Sequence, residues 1–244
     1  MRIRASRTGW ARTGIALSAL GLLALAACGD RAPPPDAEAV AEHMGEHFVR
    51  VDLMHGAIVR GDLDAAREPA RWLAEHAALP GLPEAWDPFL PELREAARDV
   101  AEASDLVNAG KATARVGATC GECHAALGAE VGFAIEGAVP EGGTAAEHMQ
   151  RHVWALGRLW EGLVVPSGEI WQAGAAVLEE VPLVPEELTE DRERVAEVRV
   201  TAERVHELAP VARQAGDMES RAAVYGDLLG TCARCHAATA APAI

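Results

Sequence analysis

The chain is poor in several residue classes, and each shortage excludes something. Aromatic residues make up only 4% of its 244 residues. Runs that alternate apolar and polar residues are few, so the signature of half-buried strands is missing. Basic residues are also scarce: 22 Lys and Arg face 37 Asp and Glu, for a net charge of −15. Four of those cations (Arg2, Arg4, Arg7 and Arg12) lie in the first 27 residues, which hold no acid, so the remainder carries −19. Such a body repels phosphate backbones, because nucleic-acid binding works by neutralising phosphates with Lys and Arg. Nucleic-acid binding is excluded, and a basic docking surface on a partner is the electrostatic counterpart. No Ser-His-Asp set, Gly-rich phosphate loop or paired-carboxylate site can be argued from the residue order. Half of the residues are hydrophobic and 24% charged, an ordinary globular composition that excludes wholesale disorder.

Long apolar runs are nearly absent. The one candidate, Ile15 to Ala27, follows an Arg-bearing start and is too short to span a bilayer comfortably. It ends in Leu25-Ala26-Ala27-Cys28, which resembles the bacterial lipobox, where the cysteine is lipidated and becomes the mature N-terminus. That implies a signal peptide over 1–27 and a lipid on Cys28. A Pro-rich tether over 28–36 follows (Pro33-Pro34-Pro35), stiff and extended. The expected location is the periplasmic side, lipid-anchored to the inner or outer membrane, with membrane contact through the Cys28 lipid only. An ordinary signal peptide with an incidental Cys28 is the alternative.

An internal repeat organises the rest. Ala41-Glu42-His43-Met44-Gly45-Glu46-His47-Phe48 recurs 105 residues later as Ala146-Glu147-His148-Met149-Gln150-Arg151-His152-Val153. Cys120-Gly121-Glu122-Cys123-His124 recurs 112 residues later as Cys232-Ala233-Arg234-Cys235-His236. The order of landmarks is the same in both halves. The expected organisation is therefore a first bundle over 37–128, a linker over 129–143, a second bundle over 144–238 and a tail over 239–244.

Each copy has room for four helices. The chain holds 51 alanines, and apolar residues recur at three- and four-residue steps. The first helix carries Val40, Met44, His47, Val51, Met54 and Ile58 on one stripe; its second copy carries Ala145, Met149, His152, Leu156, Leu159 and Leu163 at identical steps. Pro69 falls inside the second helix's stripe, which predicts a kink there or a later start. Short connections favour antiparallel neighbours, so the expected fold is all-α: two tandem four-helix up-down-up-down bundles.

The chemistry lies near the ends of the fourth helices. Cys-x-x-Cys-His is the c-type haem attachment signature: two cysteines add to the two vinyl groups of one porphyrin, and the next histidine is placed beneath the iron. Two such motifs at equivalent repeat positions are not chance. A Cys₄ zinc site would want its second pair some 15–20 residues on, not 112. A thioredoxin-like pair would need a βαβ setting. Two local disulfides would leave His124 and His236 without a role. The five cysteines divide into one for lipid and four for two covalent haems, with none to spare. The expected cofactor is haem c, two per chain. Cys120, Cys123, Cys232 and Cys235 form the thioethers, and His124 and His236 are the proximal iron ligands.

A haem motif at the end of a fourth helix resembles the class II c-type cytochromes, cytochrome c′ and its six-coordinate relatives. The resemblance spans both repeats. It is carried in the first by Val59-Arg60-Gly61-Asp62-Leu63-Asp64-Ala65-Ala66, Glu84-Ala85-Trp86 and Val116 to His124. It implies a four-helix bundle with haem near one end and a distal side formed by the first helix. It also implies a protein that carries electrons or, when five-coordinate, binds small gases. The second repeat departs from the pattern: it has no tryptophan equivalent to Trp86, and Pro166 interrupts the turn after its first helix.

The sixth iron position decides between those roles. Met44 and Met149 are the first candidates as distal ligands, and His47 and His152 are the alternatives; core filling is the plain reading for the methionines. His43 and His148, a step off the stripe, are expected at the haem edge or in solvent, and His55, His76 and His206 at the surface or boundary. The function expected is a membrane-tethered di-haem c-type cytochrome passing single electrons between redox proteins. The alternative is a gas-binding (NO/CO) haem protein or sensor. No enzyme activity is expected, since a peroxidase would need distal acid–base groups and an open iron. The short, partly apolar linker (Phe133, Ile135, Val139) further predicts that the two haem-bearing ends face one another.

Overall fold

The computed structural model describes residues 33–132, 137–179, 185–189 and 194–239. The expected signal segment, Cys28, Phe133 and Ile135 of the linker, and the tail beyond residue 239 lie outside them. The fold is all-α, and no strand occurs among the described residues. No described helix is long and apolar enough to cross a membrane.

The first half contains α1 (Ala37–Val59), α2 (Leu63–Glu75), a single 3₁₀ turn (Glu84–Trp86), α3 (Phe89–Ala101) and α4 (Leu106–Leu127). The second half contains α5 (Ala145–Val164), α6 (Gly168–Leu178), a short α7 (Pro185–Leu188), α8 (Val195–Gln214) and α9 (Met218–Thr239). The starts are set by capping side chains. Asp36, Asp62 and Asp105 accept from the backbone N–H three residues on, at 2.9, 2.9 and 2.8 Å. Thr144 and Glu147 form a reciprocal capping box at the start of α5. α4 ends on Gly128 in the left-handed conformation, φ 62°. α2 runs through Pro69, which is buried inside it, so the helix neither stops nor starts at that residue; packing outweighs the lost hydrogen bond there.

Successive helices pack on one another within each half: α1 on α2, α2 on α3 and α3 on α4, then α5 on α6, α6 on α8 and α8 on α9. The most extensive contact, however, joins the halves. α4 lies along α9, and α5 and α1 each also pack on the fourth helix of the opposite half. The described residues of both halves fall in one compact unit.

Small residues allow that approach. A Cβ at Gly110 would stand 2.8 Å from the Gly230 backbone nitrogen and 3.1 Å from the Gly226 carbonyl, and one at Gly226 would stand 2.8 Å from Lys111 Cα. Gly121, further along α4, faces Met218 at the start of α9. Low residue numbers on one helix thus meet high numbers on the other, and the pair is antiparallel. Gly61 turns the chain between α1 and α2 at φ 76°, with the Ala233 carbonyl 2.7 Å from where its Cβ would be, so both conformation and space require glycine. The stripe expected on α1 is borne out in its C-terminal part, where Val51, Met54 and Ile58 are buried. In its N-terminal part, His43 is buried while Met44 is half-exposed. Val40 and His47 are likewise half-buried, so the expected stripe is only partly covered there and His43 is the one fully buried residue beside it.

Candidate functional site

Both Cys-x-x-Cys-His segments occupy the last turns of a long helix, the first on α4 and the second on α9. The four cysteines and two histidines are all half-buried. Burial, reinforced by the neighbouring cysteine, pushes the Cys120 and Cys232 thiols up to about 12, and burial raises Cys123 as well. These thiols stay neutral and would make poor thiolate metal ligands as they stand.

The two motif histidines are held identically, and each is held by the other half. His124 Nδ1 lies 2.8 Å from the Val164 carbonyl at the end of α5, and His236 Nδ1 lies 2.5 Å from the Val59 carbonyl at the end of α1. Val59 and Val164 are themselves repeat equivalents, 105 residues apart. A carbonyl can only accept, so the proton sits on Nδ1 and Nε2 presents a lone pair. This is the usual outer-shell arrangement of a metal-ligating histidine.

In the second half, a cleft brings Met149 and His152 of α5 and His206 of α8 together with Cys232, Cys235 and His236. The expected distal and proximal residues of that half therefore line one space. Its remaining walls are largely apolar, among them Leu156 and Val205. In the first half, Met44 and His47 sit on α1 at the equivalent positions.

Histidines cluster on each of these distal sides. His43, His47 and His76 bring their ring nitrogens within 4.8 Å of one another, and so do His148, His152 and His206. His43 Nδ1 is 3.4 Å from His76 Nε2, and His148 Nε2 is 2.9 Å from His152 Nε2. Burial, with smaller contributions from the neighbouring histidines, holds His47 down to about 4 and His152 to about 3. Both rings are neutral at physiological pH and able to ligate. The sequence reading of His76 and His206 as surface or boundary residues, and of His43 as a haem-edge or solvent residue, missed these clusters. No periodic signal could have found the third member: His76 caps α2 and His206 lies on α8.

The expectation that the two haem-bearing ends face one another is overturned. Because α4 and α9 are antiparallel, the two motifs lie at opposite ends of that pair. Cys120 and the level of Cys232 are separated by about fourteen residues of α4, or about 20 Å at 1.5 Å per residue. Of the linker's apolar residues only Val139 is described, and it packs against the core; the small faces of α4 and α9 set the direction in which the halves dock. Between the two motifs lies a stack of three rings. His55 packs on Trp160 with centroids 4.9 Å apart, and Tyr225 lies 5.7 Å from Trp160. His55 Nε2 and the Tyr225 hydroxyl are 2.7 Å apart, and that hydroxyl also donates to the Leu156 carbonyl at 3.3 Å. No family model matches the chain, and comparisons with curated proteins and with solved structures return no match.

Proposed function

We propose that the chain is a di-haem c-type cytochrome that passes single electrons between redox proteins on the periplasmic side, tethered to a membrane by a lipid on Cys28. In this reading the halves are two haem units, one made of α1–α4 and the other of α5, α6, α8 and α9. The observation that carries it is the second-half cleft. Two cysteines and a histidine with its Nε2 available line it together with Met149 and His152.

The residues fit the group. The largely apolar walls suit a porphyrin face, the paired cysteines have the attachment spacing, and the outer-shell carbonyls fix the proximal tautomer. The haem, when bound, supplies one-electron iron chemistry. The chain's part is to attach it, orient His124 and His236, exclude water and fill the sixth position from Met44 and Met149 or from His47 and His152. A protein this acidic would meet basic docking surfaces on its partners.

The test is direct. Purified full-length protein should give a pyridine haemochrome equivalent to two haems, retained on denaturation. The Cys120→Ser/Cys123→Ser variant should retain half. Absence of covalent haem after expression with a haem-attachment system would remove the reading. Low-spin spectra unmoved by carbon monoxide would support a carrier, whereas high-spin spectra shifted by it would move the assignment to the gas-binding class.

A further inference from the structure

The three-histidine clusters offer more than the sixth ligand of one iron needs. We propose that each half carries a second metal site, in the second half on the wall of the haem cleft itself, in which His43, His47 and His76, and likewise His148, His152 and His206, bind a divalent ion of the zinc–copper class. The location beside a haem rests on the functional reading above; the binding of the ion itself does not.

Geometry comes first. Nitrogen ligands at 2.0–2.1 Å around a tetrahedral ion lie about 3.3 Å from one another. The closest pairs in the two clusters, 3.4 Å and 2.9 Å, bracket that spacing. The third nitrogen in each cluster is within 4.8 Å of the others, so a small rotation of one ring closes the set. Two of the three ligands stand four residues apart on one helix (43 and 47, 148 and 152), the spacing that puts paired histidines on one face toward a single ion. All-imidazole sets suit zinc and copper better than hard cations such as magnesium or calcium. In the first cluster Glu46 Oε2 lies 3.7 Å from His76 Nε2, near enough to complete or balance the site.

An unpaired atom points the same way. His47 Nε2 is buried and has no hydrogen-bond partner. Leaving an imidazole nitrogen buried and unpaired is costly, and an ion would remove that cost.

The duplication makes the case independent of inheritance. The first two histidines of each cluster are repeat equivalents, but the third is not. The residue 105 positions after His76 is Val181, and the residue 112 positions before His206 is Arg94. One half draws its third imidazole from the end of α2, the other from the middle of α8, and both complete the same kind of set. Copying a domain explains the shared pair. It does not explain a third histidine arriving from two unrelated places. With the imidazoles committed to this ion, Met44 and Met149 remain for the sixth iron position.

The experiment uses the full-length protein, stripped with EDTA and dialysed against Zn²⁺, with zinc counted by elemental analysis and haem by pyridine haemochrome. Two zinc ions per chain are expected. His76→Asn and His206→Asn should each lower that to one, and together to none, with haem content unchanged. The Met44→Ala/Met149→Ala variant should keep both ions. In place of zinc, Cu²⁺ should give an electron paramagnetic resonance signal with imidazole nitrogen splitting that halves in either histidine variant. Failure to retain zinc, or retention that neither histidine variant lowers, overturns the proposal. It is overturned too if His76→Asn shifts the low-spin haem spectrum while no zinc binds, because the cluster then belongs to the iron alone. Two histidine-dependent zinc ions on a chain lacking haem would leave the proposal standing and remove the haem reading instead.

Discussion

At the equivalent positions 55 and 160, the first half places a histidine and the second a tryptophan; at 113 and 225, it places a threonine and the second a tyrosine. All four belong to the long helices through which the halves meet. Positions 121 and 233 differ in the same region, with Gly121 on α4 and Ala233 on α9. The shared parts are the motif histidines and the carbonyls that hold them. The divergent parts are the side chains that fill the seam. A duplicated domain packed against its own copy meets itself through two different surfaces at once. Each seam position can therefore be filled for its own neighbours, and Trp160 shows how: it lies where a Cβ on Gly117 would come within 2.4 Å of its ring.

The most damaging way to break this comparison is Gly121→Ala. The added methyl would lie 2.1 Å from the Leu163 carbonyl, a backbone atom that cannot swing aside. α4 and α5 must part, and His124 loses its contact with Val164. Overpacking of this kind costs about 3 kcal/mol, and denaturant titration should show it; under the proposed haem reading, the spectrum of one haem only should change with it. The reverse change, Ala233→Gly, removes a buried methyl from a helix and should cost about 1 kcal/mol. Equal losses for the two variants would mean that the seam is not asymmetric at these positions.

This asymmetry also marks where sequence reading stops. Helix existence, the fourth-helix position of both motifs and the buried residues Val51, Met54, Ile58, Leu156, Leu159 and Leu163 follow from periodicity and repetition. The docking of the halves does not. Gly110, Gly226 and Gly230 read as weak helix formers until a partner helix is set against them, and nothing in a linear pattern says that α4 will run antiparallel to α9. The histidine clusters were hidden for a related reason: His76 and His206 have no repeat partners, and only the tertiary fold brings them to the pairs on α1 and α5.

Acid should separate the halves next. Burial holds His55 down to about 4, against about 6.5 in an unfolded chain. Between those values the unfolded state binds a proton that the folded state refuses. Stability is therefore fully present above pH 6.5, falls as pH drops towards 4, and for this group changes no further below that. The loss amounts to at most about 3 kcal/mol. The second half carries Trp160 at that position, which does not titrate, so this contribution belongs to the first half alone, separate from that of the buried His152. Unfolding free energies at pH 7.5 and 5.0 should differ less in His55→Phe than in the parent, and an unchanged difference would locate the acid sensitivity elsewhere.

A smaller effect should follow from Tyr225→Phe. Its hydroxyl serves both His55 and the Leu156 carbonyl, so its removal leaves two polar atoms short of a partner and should cost about 1–2 kcal/mol. The counterpart Thr113 only returns a hydrogen bond to the Ala109 carbonyl within its own helix, at 2.9 Å. Thr113→Val should accordingly cost under about 1 kcal/mol. If the two losses come out alike, the tyrosine is not bridging the seam.

The smallest change in stability is expected where the halves exchange an arginine for a histidine. Arg94 donates from Nη2 to the His76 carbonyl at 3.0 Å, closing the end of α2. Its counterpart His206 makes the matching contact through Nδ1 to the Leu178 carbonyl at the end of α6, 2.9 Å away. The two residues perform one structural task, capping a neighbouring helix with a hydrogen bond across the half. His206→Arg should therefore preserve that task, because a guanidinium is long enough to reach the same carbonyl and keeps its polar end hydrated at the cleft. Its cost should be under about 0.5 kcal/mol, within the range of changes that preserve the local interactions. The same substitution removes the only member of the second cluster that α8 supplies. Near-parental unfolding together with the loss of one bound zinc would show that the histidine at 206 is there for its imidazole. Near-parental unfolding with both ions retained would show that it is there for its hydrogen bond, and that the halves differ at this position in side chain but not in chemistry.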